Sequence, residues 1–435
     1  MFRIGVIFFF LLATPLLKAQ SLTFGSLDAL LRYADTASYV NDQTKLQKSL
    51  AELTTKASYG NALNPRIPVS GAMTNNTNLA INFIPAEIFG GPAGTFREVT
   101  FGQQYITSLN IAPQFDIINV AHIADIKSAR INEELVETQN KISKKNLFDQ
   151  LNAVYNNILS FEAQIEVLEE NTLKADSIFT IVKNKYDQGI VRVQDLNDAE
   201  VNLIQHKNKL NQAKLSLEQQ YLSLAILCDT KEAIQLNEKL WDVKPSNETL
   251  AVTGNISLKS YMLQRAAAEQ QYKVAKLQNL PTLSFVSSFN RQNNSNDKYF
   301  DNTQRWINSG YVGLRFSWDF PTNVSKLTAM RSAKINMQLS EMTVEHATLQ
   351  SDMQDRQLEN DFTKAQADYQ SALAVYSLES VSYNHVKNQY VNDIIPLDRL
   401  LTAQVKLLSS RLNVASALAT LSYTGSKIQI NNQFK

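Results

Sequence analysis

One cysteine, Cys228, leaves no partner for an intrachain disulfide, and its ordinary place is as a small apolar filler on a helix. Thirteen glycines and ten prolines are few for 435 residues, which argues against a loop-rich globule and for long helices. The four histidines, His122, His206, His346 and His385, stand scattered, none with a partner at metal-ligand spacing. No phosphate cradle is present, since the run GGPAG (90–94) has no lysine after it. Lys and Arg number 42 against 41 Asp and Glu, with no basic block to track phosphates, so no nucleic-acid partner is expected. No convergent titratable set points to catalysis, a cofactor or a resident metal. After residue 20, no apolar run reaches the roughly twenty residues of a membrane-spanning helix.

The apolar run that does exist stands first. Arg3 precedes IGVIFFFLLATPLL, and Leu17-Lys18-Ala19 ends on a small residue before Gln20. That is the pattern of a secretory signal peptide over residues 1–19, cut after Ala19. Removing Arg3 and Lys18 leaves 40 basic and 41 acidic residues, a net charge of −1. No cysteine stands at the cleavage point, so an exported chain without a lipidated N-terminus is expected.

The remainder reads as one plan written twice. A shift of 204 positions lays IKSARIN (126–132) on MRSAKIN (330–336). The same register, without a gap, puts Tyr186 on Tyr390, Leu196 on Leu400, Ala199 on Ala403, Val201 on Val405 and Leu203 on Leu407. The first repeat, 20–236, comprises a helix near 26–60, a strand pair within 65–117 and a helical hairpin with its tip near 189–195. A linker, 237–255, leads to the second repeat, 256–428, with a helix near 256–279, a strand pair within 281–320 and a tip near 392–397; a tail, 429–435, follows. Residues 117–188 and 322–395 hold neither Gly nor Pro. Apolar residues recur there at helical spacing, as in Leu147, Leu151, Val154, Ile158, Phe161 and Ile165, and in Phe362, Ala365, Tyr369, Ala372 and Tyr376. Seventy helical residues make a rod of about 100 Å, whose stripe must be buried against other rods as a coiled coil. Helices are expected to resume over 195–236 and 397–428. At the breaks, Gly189 tolerates positive φ, Asp393 does so less well, and Pro396 fits a first helical turn.

The strands alternate. Val312, Leu314, Phe316, Trp318 and Phe320 fall on one face of YVGLRFSWDF, and Leu283, Phe285 and Phe289 share a face of PTLSFVSSFN. Two arrangements fit this pattern: a lipid-facing transmembrane β-barrel, or an amphipathic sheet packed on a helix. Four strands cannot close a barrel, so the first arrangement requires several copies. The segments 82–102 and 290–310 are expected to be loops joining the strands of each pair.

The exported N-terminus, the duplication, the strand pairs and the phrase Tyr186, Gly189, Asp195, Leu196, Ala199 together resemble the TolC family of outer-membrane efflux proteins. The resemblance implies a mainly α fold with a transmembrane β part: a homotrimer with a twelve-stranded barrel in outer-membrane lipid on a twelve-helix barrel in the periplasm. It implies a passive exit duct for efflux or type I secretion, docked on a periplasmic adaptor and an inner-membrane pump driven by protons or ATP. The family's adaptor-docking tips fall on Gly189, Ile190 and Val191, and on Asp393, Ile394, Ile395 and Pro396. Its constricting polar links fall near Asp195, Asp198, Asp398 and Arg399. Asp393 departs from the family's glycine, and Arg399 stands where an aspartate is common. An exported coiled-coil scaffold or adaptor without a pore is the alternative.

Overall fold

The computed structural model describes residues 22–63, 66–243, 250–320 and 324–434. The expected signal peptide, 1–19, lies outside the described residues. In chain order the elements are β1 (Leu22–Phe24), α1 (Leu27–Ala37), α2 (Tyr39–Leu63), β2 (Val69–Asn75), β3 (Ala80–Pro85), β4 (Phe96–Phe101), β5 (Tyr105–Ile111) and β6 (Gln114–Ile118). There follow α3 (Val120–Asp187), α4 (Val193–Leu227), β7 (Ile234–Leu236), α5 (Ile256–Leu277), β8 (Thr282–Ser295), β9 (Ile307–Ser317), α6 (Val324–Val391) and α7 (Leu397–Gln433). The described residues fall into two compact units, one of those within 22–47, 137–260 and 345–434, the other of those within 48–136 and 261–344.

The first unit is helical. Leu147, Leu151 and Ile158 of α3 are buried, with Phe148, Tyr155 and Leu159 widening the stripe, and Ala415, Leu418 and Ile430 of α7 join the same core. Each such leucine or isoleucine contributes about 1.5–3 kcal/mol through the apolar area it removes from water. Leu30, Leu31 and Ala34 of α1 also enter this core. The helix expected over 26–60 is broken at Ser38, whose N–H ends α1 on the Ala34 carbonyl at 3.1 Å and whose hydroxyl accepts from Asn41 N at 3.4 Å. One serine thus both closes a helix and caps the next. The helix expected to reach 236 stops at Leu227; Asp229 takes φ 52° and the chain enters β7, parallel to β1 with Leu22 opposite Ile234. The last helix runs past 428 to Gln433, where the Asn431 and Asn432 side chains donate to the carbonyls of Gly254 and Ala251 at 3.1 and 2.9 Å.

The second unit holds the sheet. β8 pairs with β9 along one side and with β5, then β6, along the other; β2 pairs with β5, all antiparallel. Pro113 separates β5 from β6 because it has no N–H for the ladder, yet its carbonyl accepts from Ser287 N at 2.9 Å and the two behave as one interrupted strand. The sheet is therefore four strands wide. Two expected loops need correction. Within 82–102 the chain forms β3 and β4, a hairpin with Phe83 opposite Glu98 and Ile84 opposite Arg97. Within 290–310, β8 continues to Ser295 and β9 begins at Ile307, ending at Ser317 so that Trp318 and Phe320 lie beyond the strand.

Candidate functional site

The two hairpin tips repeat one hydrogen-bonding pattern at the 204-residue offset. Gly189 N donates to Tyr186 O at 2.8 Å and Ile190 N to Lys185 O at 2.8 Å; Asp393 N donates to Tyr390 O at 3.1 Å and Ile394 N to Gln389 O at 2.9 Å. Both are helix-ending turns on a left-handed residue, with φ 71° at Gly189 and 59° at Asp393. Of the aliphatic tip residues, Val191 and Ile395 pack inward on the core formed by Ile178, Val182, Leu397 and Leu400. Ile190 and Ile394 point out, 57% and 68% exposed, as a matched pair. Gly189, Asp393 and Pro396 are exposed beside them.

Lys185 joins the tips. Its ammonium pairs with the Asp393 carboxylate, donates to the Tyr390 carbonyl at 3.3 Å and lies 4.7 Å from the centre of the Tyr390 ring. Tyr390 is buried with an unpartnered hydroxyl; burial, then the nearby Asp195 and Asp393 charges, push its pKa up. Asp195 accepts from Arg192 N at 3.0 Å and so caps α4. Asp198, Asp398 and Arg399 are exposed. The structure thus brings Asp195 and Asp393 around Tyr390. Lys185 was missed in the sequence; its signal was a mismatch between repeats, Lys185 against Gln389 and Gly189 against Asp393.

Further along the hairpins a buried polar layer crosses three helices. Asn202 donates to Gln404 Oε1 at 3.1 Å, Gln404 donates to Asn171 O at 3.4 Å, and His206 is 2% exposed with no partner for Nδ1. Burial, with Lys209 adding, lowers the His206 pKa from 6.5, so the fold holds the ring neutral. Its stabilisation is full above the unfolded value of about 6.5 and is lost as pH falls toward the lower folded value. Thermal unfolding should therefore come earlier near pH 5 than near pH 8, and His206→Gln should narrow that gap. An unchanged gap would assign the pH dependence elsewhere.

In the sheet, register places the expected lipid-facing residues together. Leu283 is opposite Phe316, Phe285 opposite Leu314 and Ser287 opposite Val312, with Phe289 opposite Ile111. Leu109 and Val69 extend this face across β5 and β2, and Phe115 stacks on Phe285 at 5.1 Å. Val312, Leu314, Phe316, Trp318 and Phe320 are all more than half exposed, Phe289 nearly so, and Leu283 and Phe285 are half-buried. The opposite face carries Ser284, Ser288, Asn110 and Arg315, with Ser284 donating to Asp116 at 2.7 Å and Ser288 to Asn110 at 2.9 Å. No helix among the described residues is long and apolar enough to cross a membrane.

Residues 57–228 match the family described as Outer membrane efflux protein. No curated protein matches the sequence. Among solved structures, the outer membrane protein VceC of Vibrio cholerae is similar at 13% identity and TM-score 0.74, over 93% of this chain and 96% of that one. The CmeC outer membrane channel of Campylobacter jejuni is similar at 15% identity and TM-score 0.73, over 94% and 85%. The open state of the MtrE outer membrane channel of Neisseria gonorrhoeae gives 14% and 0.71, over 93% and 88%. The protein therefore has the fold of the TolC-family outer-membrane channels, and its residues 57–228 match the outer membrane efflux protein family.

Proposed function

We propose that three copies of this chain form an outer-membrane exit duct, each giving four strands to a twelve-stranded barrel and its helical hairpins to a twelve-helix wall in the periplasm. The observation that carries this reading is the sheet. Among the described residues β2 pairs only with β5 and β9 only with β8, so both edges are open, and one face is apolar. In lipid an open edge costs several kcal/mol for each unpaired group, and closure onto other copies removes that cost. A coiled-coil scaffold without a pore, the alternative, would leave Val312, Leu314 and Phe316 in water.

The duct is passive. In this reading it takes its cargo from an inner-membrane pump through a periplasmic adaptor, as the exit of a tripartite efflux or type I secretion system. Residues 1–19 are its signal peptide, and 20–236 and 256–428 its two repeats. Ile190 and Ile394, exposed at equivalent places on the tips, support adaptor docking together with Gly189, Val191, Asp393, Ile395 and Pro396. Asp195, Asp198, Asp398 and Arg399 form the aperture, where three-fold repetition turns each side chain into a ring. The test is fractionation with the outer membrane together with heat-modifiable oligomer migration in detergent. A water-soluble monomer that needs no detergent would overturn the proposal.

A further inference from the structure

The apolar face of β8 ends abruptly. After Leu283, Phe285 and Phe289, the same face carries Arg291, Asn293 and Ser295. The segment 296–306 folds back over these polar residues and is pinned by the buried Asp301. Its carboxylate accepts from Ser295 Oγ at 2.6 Å, Thr303 N at 2.9 Å and Thr303 Oγ1 at 2.7 Å. Asn293 Nδ2 donates to the carbonyls of Asp301 and Gln304 at 3.0 and 3.2 Å, and Phe300 N donates to Thr107 Oγ1 at 3.4 Å. These bonds fix Phe300 and Trp306 at the rim of a trough of about 610 Å³, whose floor includes Gly71, Met73 and Leu109. Arg291 lies in the same trough, its guanidinium 5.2 Å from the centre of the Trp306 ring, with no hydrogen bond or ion pair among the described residues.

We propose that this trough binds an anionic lipid of the outer leaflet, with the headgroup phosphate on Arg291 beside Trp306 and the first part of an acyl chain over Gly71, Met73 and Leu109. A guanidinium offers paired donors that match a phosphate, and the Asp301 carboxylate is already occupied by Ser295 and Thr303. The apolar floor favours an anion that carries a hydrocarbon chain over a free one. Trp306 and Phe300 stand at one end of the apolar band and Trp318 and Phe320 at the other, the two-girdle pattern of membrane barrels. Gly71 leaves room: a Cβ there meets only Ser108 O at 3.8 Å, so a larger side chain can occupy the trough without displacing the backbone.

The inference rests on the barrel reading, and brominated lipids separate the two. The chain has three tryptophans, Trp241, Trp306 and Trp318. Full-length protein retaining only Trp306 is reconstituted in phosphatidylcholine vesicles with a minor share of brominated phosphatidylglycerol or brominated phosphatidylcholine. The anionic lipid should be enriched at Trp306 about fivefold, the factor one basic residue gives against an anionic headgroup. Arg291→Gln should remove the preference, and Gly71→Leu, which keeps the cation, should lower quenching by either lipid. Equal quenching by the two lipids, or a preference that survives Arg291→Gln, would overturn the site; so would its loss on adding inorganic phosphate, which would assign Arg291 to a soluble anion. Protein retaining only Trp318 reports the barrel: both lipids should quench it alike. No quenching of Trp318 sinks the barrel reading, whereas quenched Trp318 without a preference at Trp306 sinks only the lipid site.

Discussion

Aspartate at both Leu222 and Ile226 should abolish the proposed trimer and its conductance while leaving the chain folded. These side chains are 61% and 79% exposed on α4, so neither supports the core of its own chain. They belong to a row. Val193, Val201, Ile204, Leu215, Leu222 and Ile226 are all exposed, and at 100° per residue they lie within about 80° of one another. On α6, Leu349, Met353, Val375, Leu378 and Val381 form a second exposed row within about 120°. Two different apolar rows on one chain suit a head-to-tail contact that closes into a ring. Losing each aliphatic group at that contact costs about 1.5–3 kcal/mol, and an unpaired carboxylate buried in its place costs several more. Repeated at every interface of a trimer, that penalty exceeds what such an assembly withstands. Light scattering in detergent should return the monomer mass with helical circular dichroism unchanged, and planar bilayers should show no channels. A double variant that kept the oligomer mass and the conductance would remove α4 from the interface.

What the sequence made legible was local and periodic. The 204-residue offset is visible because both copies keep their apolar spacing, and the structure repeats even the turn bonds, Gly189 N to Tyr186 O and Asp393 N to Tyr390 O. The strand faces were readable for the same reason: period-two alternation over 311–317 survives in the register of β9 against β8. Three features gave no such signal. The parallel pair β1–β7 joins three-residue strands two hundred positions apart, and neither is long enough to show a period. The break at Ser38 uses neither Gly nor Pro, only a hydroxyl that competes for backbone bonds. The β3–β4 hairpin passes for a loop because apolar residues occupy both of its faces, Ile81 and Phe83 on one and Ile84, Val99 and Phe101 on the other. The candidate aperture was only partly legible. Asp195 could be placed by the repeated phrase, but its nearest structural consequence, a buried Tyr390 between two carboxylates and a lysine, depends on a cross-hairpin contact that no spacing encodes.

That contact gives the second large effect, since Asp393→Asn should raise the conductance of the proposed duct. Asparagine tolerates the left-handed backbone at φ 59° and keeps the side-chain volume, so the tip turn stays and only the charge goes. The Lys185 ammonium then loses its carboxylate, while Lys185→Met removes in addition its bond to the Tyr390 carbonyl and its place over the Tyr390 ring. Asp393 is more than half exposed, so solvent screens the ion pair and it is worth only about 0–1 kcal/mol; the cation–π contact adds about 0.5–1. Such a clasp is weak once and substantial in three copies, about 1.5–6 kcal/mol in total, where about 5.5 kcal/mol is enough to invert a hundred-fold bias between two states. Single-channel conductance in planar bilayers should therefore rise in the order unsubstituted, Asp393→Asn, Lys185→Met. Alanine at Asp195 should raise it as well, through the lost cap of α4, whereas Asp198→Ala and Arg399→Ala test contacts that only neighbouring copies would supply. If Lys185→Met left conductance unchanged, the clasp would hold the two tips of one chain together without any part in the gate. The order of the two variants matters as much as the rise, because a merely loosened tip would respond to Asp393→Asn and Lys185→Met alike.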